Sequence, residues 1–245
     1  MAPIHYKSYD IGKLKQRKSL IDEIQKKEIG SIKDKSLLHL QCHIGTDSLS
    51  WVLEGAQVTG IDFSRESIKI ANELKRRVEV ISYNSNWKEM YKEESGKIKN
   101  ILNDIIIDIY HIGSTAIPGI KAKPVIDILV EVKDIEAVDQ YNHKMEELGY
   151  EAMGEYGIPK RRFFRKGGNN RTHHIHIFQV GNEEVGRHIN FKEYLISHPD
   201  KGQEYSKLKE KLANKYAYDV ENYTNGKSDF IQEIDRKAKL WREKL

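Results

Sequence analysis

Hydrophobic side chains fall along this chain in short clusters whose spacing switches between helical and strand-like periods. Residues 11–29 carry Ile11, Leu14, Leu20, Ile21 and Ile24 at roughly helical intervals, and Gly30 stands where a helix-ending residue belongs. Leu37-Leu38-His39-Leu40 has the pattern of a short buried strand and runs into a turn over residues 41–45. Thr46 or Asp47 is then placed to cap a helix that reaches Gly55. Residues 57–62 (QVTGID) read as a second strand. Ser64 reads as the cap of a further helix with Ile68, Ala71 and Leu74 on one face. The order is one βαβ unit followed by a helix.

The pattern breaks at Lys75-Arg76-Arg77, and a domain boundary is expected there, separating residues 1–77 from 78–245. Residues 78–82 look like a fresh strand start. Asn84-Ser85-Asn86 is cap chemistry for a long helix striped with Trp87, Met90, Ile98, Ile101 and Leu102. A strand over 108–113, the loop STAIPGIKAK and a strongly apolar strand over 124–132 come next, then a helix from about Ile135 to Leu148. Strands RRFFRK and THHIHIF are joined by Gly167-Gly168-Asn169-Asn170, a hairpin signal. The remainder is helical, over 193–197, 202–218 and 228–241, with Ser228 as the cap of the last helix.

Composition narrows the class. The chain has 245 residues, 38% hydrophobic and 32% charged, enough for one large domain or two modest ones. No run approaches the ~18 apolar residues of a membrane span, and the first residues lack the apolar stretch of a signal peptide. The single cysteine, Cys42, cannot form an internal disulfide or a Cys-rich zinc site, so a reducing, cytoplasmic setting is expected. The formal charge of +4 comes with interleaved lysines and glutamates (Lys207, Lys209, Glu210, Lys211). Those read as solvated helix faces, not as a nucleic-acid surface.

The segment LLHLQCHIGTDSLSWVLEGAQVTGIDFSRESIKIANEL resembles the opening of a class I S-adenosylmethionine-dependent methyltransferase, over about residues 9–76. The resemblance implies an incomplete Rossmann-like fragment fused to a larger C-terminal domain. It would put Gly45 in the cofactor turn and Asp62 on the ribose of S-adenosylmethionine. Only one glycine stands in the turn, and only two strands are present. Such a pair leaves edges and faces uncovered.

In HIGSTAIPGIKAKPVIDILVEV (111–132), a Gly-Ser pair at one strand end is followed by an aspartate in the next strand. That is the skeleton of a nucleotidyltransferase site. In such a site Gly113 would allow close backbone approach, Ser114 would contact phosphate, and Asp127 would hold a divalent cation that bridges phosphate oxygens. The stretch from about Val78 to Leu245 resembles the GrpB family. The resemblance is carried by YNSNW, HIGSTAIPGIKAKPVIDILVEV, GEYGIPKRRFF, RTHHIHIF, RHINFKEYLISHPD and YTNGKSDFI in that order. It implies an α/β (α+β) nucleotidyltransferase-like fold, a mixed sheet with flanking helices.

The second carboxylate that such sites place two residues after the first is here Leu129. Glu131 shares its face but stands ~13 Å from Asp127 along the strand, too far to share an ion. His174 and His176 alternate onto one strand face, ~6.5–7 Å apart. Beside Asp127 they would make a two-histidine, one-carboxylate set suited to zinc, manganese or iron better than magnesium. The alternative is a pair of sheet histidines bonded to backbone or phosphate. Lys121, Lys123, Arg161, Arg162, Arg171, Arg187, His188 and Lys227 are candidate phosphate contacts, and strand alternation leaves open which of Arg161 and Arg162 faces inward. Gly154, Gly157 and Pro159 shape a loop expected near the cleft.

Three functions compete. One is a transferase acting on a nucleotide or another phosphorylated small molecule. The second is a phosphate-binding module that does no chemistry, and the third is methyl transfer by the N-terminal piece.

Overall fold

The computed structural model describes residues 10–75, 77–168 and 170–244. The first residues, Arg76 at the proposed boundary and Asn169 in the hairpin lie outside them. The chain divides into two compact units, Met1–Val78 with Asn214–Tyr223, and Glu79–Ala213 with Thr224–Leu245.

The first unit opens with two helices, α1 (Ile11–Lys15) and α2 (Glu23–Ile29), where one continuous helix is expected from the apolar spacing. Local chemistry breaks it. Arg17 takes a left-handed φ of 60°, and Asp22 starts a new helix through a reciprocal cap with Gln25. Strand β1 (Ser36–Leu40), helix α3 (Thr46–Leu53), strand β2 (Gln57–Ile61) and helix α4 (Arg65–Lys75) come after it. β1 and β2 pair in parallel, Leu38 opposite Thr59.

The residue that caps α3 is Gly45, at φ 78°, and not Thr46 or Asp47. Ser64 Oγ accepts from Ser67 N at 3.1 Å, the cap expected for α4. Ile21, Ile32, Trp51 and Ala56 form a small core with Leu37 and Val58 against it, while Leu38 and Leu40 on the alternate face of β1 are exposed.

The second unit is built on a five-stranded mixed sheet, in the order β3-β4-β7-β6-β5. Helix α5 (Asn86–Ile101) precedes β3 (Ile106–Ile112). The segment read as a strand at 78–82 makes only a single bridge, Ile81 to Ala122. β4 (Ile126–Val132) is followed by a 3-10 turn (Glu136–Tyr141) that runs into α6 (Asn142–Glu147), then by the short strand β5 (Tyr150–Ala152). β6 (Arg161–Lys166) and β7 (His173–Gln179) form the expected antiparallel hairpin. Helices α7 (Glu183–Ser197), α8 (Pro199–Lys215), α9 (Val220–Asn225) and α10 (Ser228–Arg242) come after β7.

Strand alternation gives the sheet two unlike faces. Ile126, Ile128, Val130, Val132, Phe164, Ile175 and Ile177 point to one side and make the main core with Trp87, Ile98 and Leu102 of the α5 region. The opposite face carries Asp127, Leu129, Glu131, His174, His176, Arg161 and Phe163. Only its lower part is apolar, where Ile112, Leu129, Phe178 and Val185 pack together. Central β4 is apolar on both faces except at Asp127 and Glu131. Asp127 is therefore a polar interruption in the most buried strand, opposite Ile112 of β3 on one side and His174 of β7 on the other. No helix among the described residues is long and apolar enough to cross a membrane.

Candidate functional site

The site begins where β3 ends. Gly113 sits at φ 69°, and a Cβ there would collide with the Asp127 carboxylate. Glycine is required both for the backbone angle and for the contact. Ser114 then opens a 3-10 turn, Ser114–Ala116. Thr115 Oγ1 pins that turn by donating to Val125 O at 3.2 Å, just before β4.

β4 and β7 lie side by side in parallel, with Asp127 opposite His174 and Leu129 opposite His176. His174 Nδ1 donates to Asp127 Oδ1 at 3.2 Å, and His176 Nε2 lies 4.0 Å from the same oxygen. Burial alone would raise the Asp127 carboxyl. The hydrogen bond and charge of His174, with Lys123 nearby, outweigh it and hold the group below its ordinary value.

His176 is pushed down to about 3, chiefly by burial, so its ring is neutral. Its Nδ1 faces Arg161 Nη1 at 3.4 Å. A guanidinium can only donate, so Nδ1 accepts and the ring proton sits on Nε2, toward Asp127. His188 completes the row, its ring centroid 5.6 Å from that of His176.

A lysine expected on a solvated helix face instead reaches the other side of Ser114. Lys209 Nζ donates to Ser114 Oγ at 2.8 Å and lies 4.3 Å from the centre of the Tyr205 ring. Lys209 is 2% exposed. Burial pushes its ammonium down to about 7, and the charge of Lys227 adds to the effect. Burial likewise takes Lys227 down to about 8, with Lys123 pushing the same way and Asp127 opposing. Among the described residues no carboxylate forms an ion pair with Lys209.

The available signal was positional. Tyr205, Leu208, Lys209 and Leu212 recur at helical spacing, so Lys209 belongs to the apolar face of α8. Lys227 is itself the cap residue of α10, which starts at Ser228 and has no side-chain cap bond.

Several expected contacts lie elsewhere. Arg161 faces Asp127's side of the sheet. Arg162, one residue on, projects from the opposite face and grips Asp139 with bonds of 2.7 and 2.9 Å. Arg187 and His188 lie inside α7, not in a turn before it. Arg187 is spent on Glu184 (2.7 Å) and Asp235 (3.0 Å). Arg171 stands 3.9 Å from Glu151, a carboxylate that Arg165 also clamps. Lys121 pairs with Glu210.

In the first unit, Asp62 accepts from His43 N and Ser64 N at 2.7 Å each, so both its oxygens serve the local turn. A Cβ at Gly45 would come within 2.8 Å of Ala71 Cβ, so helix packing accounts for that glycine.

The fit for a metal is partial. Asp127 and His174 are spaced as two ligands of one ion would be, but His176 is wider. Among the described residues no three His, Cys, Asp or Glu groups converge on one ion position. Leu129 is fully buried and Glu131 bonds Tyr110 at 3.2 Å, so no second carboxylate joins Asp127 among the described residues.

Comparison with known proteins fits this architecture. The UPF0157 protein YqkA of Bacillus subtilis is 45% identical over 169 residues, covering 69% of this chain and 49% of YqkA. The chain thus spans about half the length of that relative. The glutamate-rich protein GrpB of Alkalihalophilus pseudofirmus is 35% identical over 165 residues, covering 65% of this chain and 95% of that protein. A crystal structure of conserved protein GrpB from Enterococcus faecalis superposes with a TM-score of 0.64 at 41% identity, over 66% of this chain and 99% of that one. The profile described as GrpB protein matches residues 77–237, leaving residues 1–76 outside it; the chain belongs to the GrpB family.

Proposed function

We propose that the sheet face bearing Ser114 and Asp127 binds a nucleotide or another phosphorylated small molecule, and that its reaction class is metal-dependent nucleotidyl or phosphoryl transfer. The observation that carries this reading is the buried Lys209 ammonium, bonded to Ser114 Oγ at 2.8 Å and close enough to Lys227 to feel its charge. An ammonium held in a protein interior near a second lysine is costly, and a polyanion offsets that cost. Ser114 would contribute its hydroxyl and the turn's backbone to the phosphates, with Lys123 and Arg161 as further cations. Asp127 and His174 would hold a divalent cation, magnesium, manganese or zinc, which supplies charge neutralisation on the phosphates. His176, neutral and bonded to Arg161, turns Nε2 toward Asp127 at 4.0 Å.

A second reading is favoured by Leu129, which stands where a partner carboxylate would otherwise be. On that reading the domain binds the phosphorylated ligand and does no chemistry. Calorimetric titration with inorganic tripolyphosphate and with nucleoside triphosphates, with and without each metal, tests the shared premise. Micromolar binding that depends on Lys209 supports it, and no binding of any phosphate compound removes it. Product formation over hours then separates transferase from binding module.

A further inference from the structure

The loop after β5 holds one aromatic side chain in a backbone conformation that bulky residues resist. Tyr156 has φ 45°, in the left-handed region. Arg161 fastens it there, donating from Nη2 to Tyr156 O at 2.8 Å and from Nε to Glu155 O at 3.2 Å. That outlay does not bury the ring, since Tyr156 remains 58% exposed. It lays the ring flat on Phe163, with centroids 5.3 Å apart and planes 16° from parallel. Phe163 in turn adjoins the rings of His174 (5.3 Å) and His176 (5.1 Å), the two residues that face Asp127. A row of flat rings therefore leads from Asp127 across the sheet face and ends in a tyrosine open to solvent.

We propose that Tyr156 and Phe163 form a stacking shelf for the planar base of a nucleoside phosphate whose phosphate groups lie at Ser114, Lys209 and Lys227. This rests on the phosphate-binding reading above and narrows its ligand from any phosphorylated small molecule to a nucleotide. β6 lies three strands from β3, whose end carries Ser114, ~14 Å across the sheet, a span comparable to that from a nucleotide's base to its terminal phosphates. Every base presents a π face, so the shelf selects nucleotides over sugar phosphates and inorganic phosphates without choosing strongly among bases. Arg161 serves both halves. It fixes the Tyr156 backbone, lies 4.7 Å from the centre of the Phe163 ring, and bonds His176.

The test is calorimetric titration of the full chain, in magnesium, with tripolyphosphate, ATP and CTP, for wild type, Tyr156→Ala and Tyr156→Phe. Wild type should bind both nucleotides about tenfold or more tighter than tripolyphosphate. Tyr156→Ala should bring the three ligands within about twofold of one another, and Tyr156→Phe should keep the preference. Equal binding of all three by wild type overturns the shelf, as does a preference that survives Tyr156→Ala. A Tyr156→Ala protein that loses tripolyphosphate as well would show Tyr156 to be structural and overturn it too. If wild type binds neither tripolyphosphate nor nucleotide, the phosphate site itself fails and the shelf falls with it.

Discussion

Lys209 donates from Nζ to Ser114 Oγ at 2.8 Å, joining helix α8 to the turn after β3 across 95 residues of sequence. The bond places an ammonium in a nearly solvent-free position, with a hydroxyl and the Tyr205 ring for company. A hydroxyl and a π face compensate a buried charge only in part. On the proposed phosphate-binding reading, stability and binding are opposed at this residue.

Replacing Lys209 by methionine should separate the two. Methionine fills most of the volume without the charge, so the ligand-free protein should gain stability, by about 1–3 kcal/mol. The same variant should bind tripolyphosphate at least tenfold more weakly. Thermal denaturation and calorimetry read the two effects, and a variant that is both less stable and unimpaired in binding contradicts the assignment.

The pH dependence should run in opposite directions for folding and for binding. Lys209 is held at about 7 in the fold, below the 10.5 of an ordinary lysine. Between those values the unfolded chain carries a proton that the folded chain has lost, so raising the pH favours the fold. Stability from this group should rise between about pH 7 and 10.5 and then level off, with Lys227 adding a like contribution above about 8. Phosphate affinity needs the charged forms and should fall as pH rises through the same window. Lys209→Met should flatten much of the first trend.

Much of this arrangement was legible in the residues themselves. The Gly113-Ser114 turn, Asp127 in the following strand, and His174 with His176 alternating onto one face could all be read from spacing, because a strand's period fixes faces. That β7 lies beside β4, with His174 opposite Asp127, is a tertiary fact on which the spacing is silent. The choice between Arg161 and Arg162 was likewise undecidable, since either phase of β6 satisfies the local pattern and only the pairing of Phe163 with His176 sets it. Lys209 was hidden for a different reason. Its lysine and glutamate neighbours mask an apolar stripe in which it is the one charged member. Arg187 looked like a phosphate contact because its partners, Glu184 and Asp235, come from two helices, one of them 48 residues away.

Gly113→Ala should be among the most damaging single changes in the second unit. The added methyl meets both an unfavourable φ of 69° and the Asp127 side chain, whose Cβ would lie 3.0 Å away. A left-handed backbone alone costs a non-glycine residue ~1–2 kcal/mol, and displacing the half-buried Asp127 carboxylate adds to it. Urea unfolding should show a loss of about 2–4 kcal/mol, and phosphate binding should fail at temperatures where the variant is still folded.

Asp127→Asn distinguishes the transferase from the binding module. The carboxylate faces Lys123, Lys227 and the two histidines, so removing its charge makes the site more positive. Without metal, tripolyphosphate should bind the variant as well as wild type or a few-fold better. Any strengthening of binding by magnesium, manganese or zinc should disappear, and turnover, if wild type shows it, should be lost. Unchanged metal dependence in the variant would mean that the cation is held elsewhere.

Neighbouring arginines on β6 offer a control internal to one strand. Arg161 is 5% exposed, bonds His176 and carries the Tyr156 loop, whereas Arg162 lies on the opposite face in a surface pair with Asp139. A partly exposed ion pair of that kind contributes ~0.2–1 kcal/mol, so Arg162→Ala should shift the melting temperature slightly and leave ligand affinity untouched. Arg161→Ala removes the donor to His176 Nδ1 and frees the backbone of Glu155 and Tyr156. It should weaken nucleotide binding about tenfold or more, and Arg161→Lys should rescue little, because one ammonium cannot reach three acceptors set out for a planar fork. Equal effects from the two alanine substitutions would mean that ligand contacts do not come from this face of β6.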